Sequence, residues 1–545
     1  MLALFRSLFT FITAITIFIT SLLSPVVPGE NSENLSFDVL SYPEEAVVTF
    51  SEAGITVEEY ISRADAGREE YVEAAGYTDV KGVLISPYYT AEIAGTAVPV
   101  YCTTAFSGET QKGLLQSFSE VYFEKGTEFS FNIELTSLGI TMKNAICLPE
   151  STGVGCVTKD GKMTATISDF GIYTFLFNNA GQDYAYTLFV RENSDDEEEI
   201  AKLKNELGEE NVIIVEGYVE APWANITEDN KAIYLKRGAY VAAQHMYDIE
   251  SAEDEALYVE KEAIRCNSIG LTRMPFVNVH GCDNFTIAGN GLIDLTQLDR
   301  RERRGVVFTN ASNVTAKGFK IVNSPEWSFI TYDCENVEIS AVDIFGYRLN
   351  ADAFAICSSR NVTVTDSFCR TGDDLFDVKG LGGREGIESR NIVFSDCVAW
   401  GGKARCYGIC GEVHSPISDV TFKDSAVIIR DATWHEDRIA SLAIIVEEQG
   451  GSINNVKFEN IEIFRDDGRA IGVVILGENI DGFSCENISF SNISYKSGAQ
   501  SKVSSNGKDN TISVSFRSIF YGNKEITDKT PFAFTLDSTA EISFR

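Results

Sequence analysis

The run Leu349-Asn350-Ala351-Asp352-Ala353-Phe354 is followed by Arg360-Asn361-Val362-Thr363-Val364-Thr365, then Arg370-Thr371-Gly372-Asp373-Asp374, then Phe376-Asp377-Val378-Lys379-Gly380. Three carboxylates are set among short β-like runs. Asp352 and Asp373 are 21 residues apart (373 − 352), the length of one turn of a coil built from three short strands with tight corners. Strands stacked in a sheet lie about 4.7–4.9 Å apart. In such a coil Asp352 falls one rung from Asp373 and Asp374 on the same wall. Acids gathered there repel one another, so at least one is expected to keep its proton above the usual carboxylate range. A protonated carboxyl beside an ionised one is what glycosidic bond hydrolysis uses.

The same local pattern recurs on both sides. Asn or Asp opens a small-plus-β-branched alternation at Asn284, Asn313, Asn336, Asn361, Asn391, Asp419, Asn455 and Asn487. Successive starts are 29, 23, 25, 30, 28, 36 and 32 residues apart. A period of this size, with β-alternation and no helical interludes, is the signature of a β-solenoid. Its longer intervals imply loops inserted on one side. Asn at each corner suits a strained turn and stacks as a ladder. That register explains the Asn-x-Ser/Thr triplets better than glycosylation does.

The solenoid pattern spans 212–495, and 496–545 are expected to cap its open end. Upstream, residues 30–195 carry alternating segments such as Phe129-Ser130-Phe131-Asn132-Ile133-Glu134-Leu135, punctuated by Gly155, Gly161 and Gly181. That is the pattern of a β-sandwich, with no cluster of catalytic residue types. Between them, 196–211 read as a linker helix: acids at its start suit the helix dipole, and Ile200, Leu203 and Leu207 follow at helical spacing. Residues 1–29, with an apolar run from Leu8 to Leu23, read as a signal peptide; an uncleaved membrane anchor is the other reading. Export places the protein outside the cytoplasm, secreted or at the cell surface.

The chain has 545 residues and a formal charge of −35 with no basic patch, which argues against a nucleic-acid partner. Twelve cysteines are present. Cys147 and Cys156 lie in an expected hairpin where export would permit a disulfide, and the rest fall in strand-like runs as buried thiols. The Cys406-x-x-x-Cys410 spacing has no second pair, so no metal site is expected.

Three triplets in order carry a resemblance: Asn323-Ser324-Pro325 with Glu326-Trp327, Asn350-Ala351-Asp352, and Gly372-Asp373-Asp374. Set in a β-helix, with the step between the acids, they are similar to glycoside hydrolase family 28, the polygalacturonase-like enzymes. The resemblance covers roughly 212–495. It implies an all-β chain with a right-handed parallel β-helix, the pectin-lyase-like solenoid, here preceded by a β-sandwich. It implies hydrolysis of a pectin-type or related polysaccharide with inversion, and no cofactor. On the matching positions, Asp373 would be the general acid, and Asp352 and Asp374 would hold and deprotonate the water.

The chain also departs from that family. Ala353 follows Asp352 where the family has Gly. Lys403 stands where the next coil of the family has a His, within Gly401-Gly402-Lys403-Ala404-Arg405. The family's cationic Arg-Ile-Lys has only a loose echo in Arg438-Ile439-Ala440. Three Asp without the His, after a β-sandwich, resemble more weakly glycoside hydrolase family 49, the dextranase-like enzymes. Lys403, Arg405 and Glu412 are candidates to bind substrate or to neutralise the acids. Trp327 is a candidate stacking platform, with a core role as its alternative. Asp377 is read as a structural partner of Lys379. Two other functions share the fold: a polysaccharide lyase, with calcium on the acids and Lys403 or Arg405 as base, and a non-catalytic glycan-binding protein.

Overall fold

The computed structural model describes residues 35–63, 80, 82–107, 112–136, 141–178, 181–222, 224–245, 275–298, 302–431, 438–476, 480–498, 500–528, 535–536 and 540–544. Phe37–Arg545 forms one compact unit. The apolar run 8–23 and His435 lie outside the described residues. Among those residues no helix is long and apolar enough to cross a membrane.

From Val212 onward the chain winds as a parallel β-helix of the right-handed class, in a twenty-stranded and an eleven-stranded sheet. The earlier coils give two strands to the larger sheet and one to the smaller, as in Arg360–Thr365, Phe368–Arg370 and Phe376–Gly380, and from Ile417–Arg430 on the two merge into one long strand. The intervals read from the sequence are the ladder register itself. Phe285 pairs with Val314, then Val337, Val362, Ile392, Val420, Val456 and Ile488, each one coil on. Inward positions alternate with exposed ones, as in Glu335–Ser340, so every coil stacks apolar on apolar. Deeper in the core Phe394, Phe422, Phe458, Phe490, Phe516 and Phe544 form a continuous stack with centroids 4.6–5.4 Å apart.

The corners explain the asparagines. All eight motif positions have φ between 53° and 59°, the left-handed region that Asn and Asp tolerate best. The Asn336 amide donates to Asn313, Asn361 to Asn336 and Asn391 to Asn361, at 2.8–3.0 Å. The parallel ladder runs on past Tyr495. Thr511–Tyr521 pairs with the preceding coil, and Ala540–Phe544 pairs with Thr511–Tyr521. The residues expected to cap the coil therefore lay down strands of it.

The N-terminal part consists of two sheets that face each other through aromatic rings, Phe123 on Phe129 and Phe131 on Phe175. The helix Asp196–Leu207 follows, its first turn capped by the Asp195 carboxylate accepting from the NH groups of Glu197 and Glu198. Cys147 and Cys156 are free thiols on different sheets, and the turn Glu150–Thr152 lies between their strands. The expected hairpin is therefore absent, and no disulfide joins them. The other described cysteines are buried free thiols.

The first N-terminal sheet packs on the β-helix. Phe345 stacks on Phe118 at 5.5 Å, and Phe189 meets Phe345 and Phe368. A buried charge network crosses the same surface: Lys320 pairs with Glu120 and, at 2.9 Å, with Asp343, which Arg191 also grips at 3.0 Å.

Candidate active site

The residues just ahead of each strand of the smaller sheet make the site. The ladder pairs Phe354 with Phe376 and Phe376 with Tyr407. Two residues back from each, Asp352, Asp374 and Arg405 form one column. Backbone bonds fix it: Ala353 NH to Asp374 O at 2.8 Å and Leu375 NH to Arg405 O at 3.0 Å. The carboxylate stacked on Asp352 is thus Asp374, 22 residues on (374 − 352), and Asp373 stands beside the column. Asp373 is held by its own turn, accepting from Asn350 NH at 3.2 Å and Asp374 NH at 3.1 Å. Asn350 takes the left-handed corner, φ 62°. Gly372 is required by close approach, because a Cβ there would overlap the Arg348 carbonyl.

Two cations lie among these acids. Arg405 closes on Asp374 from the next coil, Nε at 2.8 Å and backbone NH at 3.0 Å from Oδ1. Lys379 Nζ lies 2.8 Å from Asp377, 3.0 Å from Glu412, and 3.9 Å from both Asp352 and Asp374. It also donates to the Cys410 carbonyl at 2.9 Å. A register shift in the pairing of Phe376–Gly380 with Tyr407–Val413 accompanies this arrangement.

Burial sets the proton affinities. It pushes Asp352 well above the usual carboxylate range, helped by the charge of Asp373 and opposed by Lys379. Burial and the adjoining Asp374 lift Asp373 to about 6, against the pull of Arg405, Lys379 and Lys403. Burial also raises Asp377 despite its pairing with Lys379. Burial disfavours the Glu412 carboxylate too, yet Lys379 brings its pKa below the ordinary range. Asp373 is part-exposed, whereas Asp352 and Asp374 are buried. Burial thus raises the proton affinity of both Asp352 and Asp373, and of the two Asp373 is the one that a ligand can reach.

The site residues expected from sequence divide accordingly. Asp352, Asp373 and Asp374 come together. Arg405 is buried against Asp374, and Glu412 pairs with Lys379 while staying part-exposed. Trp327 is 4% exposed, with Arg304 4.5 Å and Lys379 5.1 Å from its ring centroid. That burial rules out the sugar-stacking role and leaves it a core ring that carries cations. Lys403 remains part-exposed and acts on Asp373 through its charge. Arg438 pairs with Glu447 at 3.2 Å. Lys379 is the residue that sequence reasoning undervalued: the Asp377 pairing holds, but it sits inside the acid cluster.

Among the described residues, Asp374, Asp377 and Cys410 come close enough together to share a metal. The Lys379 ammonium lies within 3.9 Å of both carboxylates, and Arg405 takes the other oxygen of Asp374. These donors suit an internal ammonium better than a hard divalent ion.

Residues 249–517 match the model of glycosyl hydrolases family 28, a stretch that includes the three triplets. The chain is 26% identical over 176 residues to a polygalacturonase of Cryptomeria japonica, and likewise to one of Chamaecyparis obtusa. Each match covers 30% of this chain, which therefore spans 30% of the length of those relatives. Dex49A from Penicillium minioluteum shares the fold with a TM-score of 0.55 at 13% identity, over 86% of this chain and 96% of that one.

Proposed function

We propose that the family 28 coil is a glycoside hydrolase that cleaves a pectin-type polysaccharide outside the cytoplasm by inversion. The observation that carries this reading is the gathering of a part-exposed Asp373, its pKa lifted to about 6, with two buried acids, Asp352 and Asp374, that stack one coil apart beside Lys379 and Arg405. Asp373 gives its proton to the glycosidic oxygen as the bond from the anomeric carbon breaks. Water attacks that carbon from the opposite face and loses a proton to Asp352 or Asp374. The hydroxyl is left inverted, and the proton returns to Asp373 through solvent. Protonated Asp373 no longer repels Asp352, so the acid on one side and the base on the other are prepared together.

Lys403, part-exposed beside Asp373, is the group we assign to a uronate carboxylate of the substrate. The export reading rests on the apolar run Leu8–Leu23. A lyase would need Lys403 or Arg405 as a free base, and Arg405 is already bound to Asp374.

The test is release of new reducing ends from polygalacturonate, rhamnogalacturonan, dextran, pullulan and xylan, with and without chelator. Release from a pectic substrate, unaffected by chelator, supports the proposal. A chelator-sensitive product absorbing in the ultraviolet would replace it with a lyase. Binding without turnover would replace it with a glycan-binding protein.

A further inference from the structure

An ammonium has three N–H donors, and those of Lys379 are met by Asp377, Glu412 and the Cys410 carbonyl, at 2.8–3.0 Å. Asp352 and Asp374 lie beyond hydrogen-bond reach, at an equal 3.9 Å. Lys379 thus touches its three tethers and acts on the two water-side acids through charge alone. We infer that Lys379 is a positioning residue: tethered on the outward side of its strand, it holds Asp352 and Asp374 in place on successive coils and favours the ionised form of Asp352. The inference deepens the hydrolase reading and rests on it.

The surroundings leave few other groups for that task. Arg405 binds the far oxygen of Asp374, and Lys403 acts on Asp373 by its charge. Two coils before Asp352, Arg304 is paired with Glu326 and lies over the Trp327 ring. Lys379 is therefore the cation that Asp352 faces at ion-pair distance. Although burial opposes its charge, the four carboxylates around it hold the Lys379 ammonium well above the ordinary lysine range, so it stays charged wherever the enzyme works. Glu412 competes for it: an ionised neighbour at 3.0 Å weakens what Lys379 offers to the other acids.

The sign of two substitutions separates positioning from a purely structural role. The profile of kcat/KM against pH is measured for wild type, Lys379→Met and Glu412→Gln on whichever polysaccharide wild type cleaves. The aspartate carboxyl carbons are titrated by NMR in the same proteins, with the Asp352 signal assigned from Asp352→Asn. Lys379→Met is expected to move the acidic limb and the Asp352 titration to higher pH by about one unit. Glu412→Gln is expected to move both to lower pH. Loss of amplitude or stability in both variants, with limb and titration unmoved, would overturn the inference. If Lys379→Met fails to fold, the direction of the Glu412→Gln shift decides alone. If wild type cleaves nothing, the hydrolase reading fails, while the titration still reports whether Lys379 favours the ionised form of Asp352.

Discussion

The backbone NH of Phe106, in the N-terminal sheet, donates to the carbonyl of Gly346 at 3.0 Å, four residues before Asn350. It belongs to a series of contacts on successive coils. Thr104 donates to Asn323, Arg370 donates to Gln116, and the Phe106 ring fills the space where Gly402 would carry a Cβ. The turns leading to Trp327, Asn350, Asp373 and Lys403 are each braced by the N-terminal sheet. That sheet is therefore part of the scaffold of the site.

At Gly402 this bracing is steric. A Cβ would overlap the Phe106 ring, so Gly402→Ala is expected to cost about 1–3 kcal/mol by overpacking and to lower turnover through the adjoining Lys403. Phe106→Leu should return part of the stability. Denaturant unfolding of both single variants and the double would show coupling. Strict additivity would mean that the two residues do not press on each other.

The charges buried between the N-terminal sheet and the coil give a second prediction. Lys320→Met leaves Glu120 and Asp343 facing each other without their shared cation, although Arg191 still holds Asp343. Breaking such a pair from one side costs about 3–5 kcal/mol. Chemical denaturation would measure it, and a loss under 1 kcal/mol would show that water already reaches the network.

Within the coil, Phe458 stacks between Phe422 at 4.9 Å and Phe490 at 4.6 Å. Phe458→Ala removes a ring with neighbours on both sides, and about 3–5 kcal/mol of stability should go with it. The fall would appear as a shift in the denaturant midpoint.

Asp373→Asn should reduce turnover by about 10² or more while leaving the coil folded. The same substitution should show in stability. Asp373 keeps its proton to about pH 6 in the folded chain, whereas an unfolded aspartate loses it near pH 4. Between those values the native state holds more protons, so wild-type stability falls as pH rises through that window, and the deficit is complete above it. Asp373→Asn is expected to raise Tm relative to wild type at pH 7 and to leave it little changed at pH 4.

Much of this architecture was legible in the chain. A left-handed corner selects Asn or Asp, so these two residue types mark each coil from Asn284 to Asn487, and the spacing of the marks is the ladder register. The three acids were legible because they share turns with Asn350 and Gly372, whose geometry is equally demanding. Other features required the register itself. A one-residue offset decides that Asp374, not Asp373, stacks on Asp352. The interval from Asp374 to Arg405 decides that this arginine binds the acid. Lys379, two residues from Asp377, read as half of an ordinary pair, because Glu412 reaches it from the next coil. The bracing by Thr104, Phe106 and Gln116 joins residues more than two hundred positions apart, and nothing local announces it.

The central claim is that Asp373 and the Asp352–Asp374 pair hydrolyse a glycosidic bond from opposite faces. Proton NMR of the first-formed product, recorded before mutarotation, tests it most directly, with wild type and Asp373→Asn run side by side on polygalacturonate. The account predicts that the inverted anomer accumulates first with wild type and that the variant releases almost none. A retained anomer, an unsaturated product, or undiminished release by Asp373→Asn would contradict it.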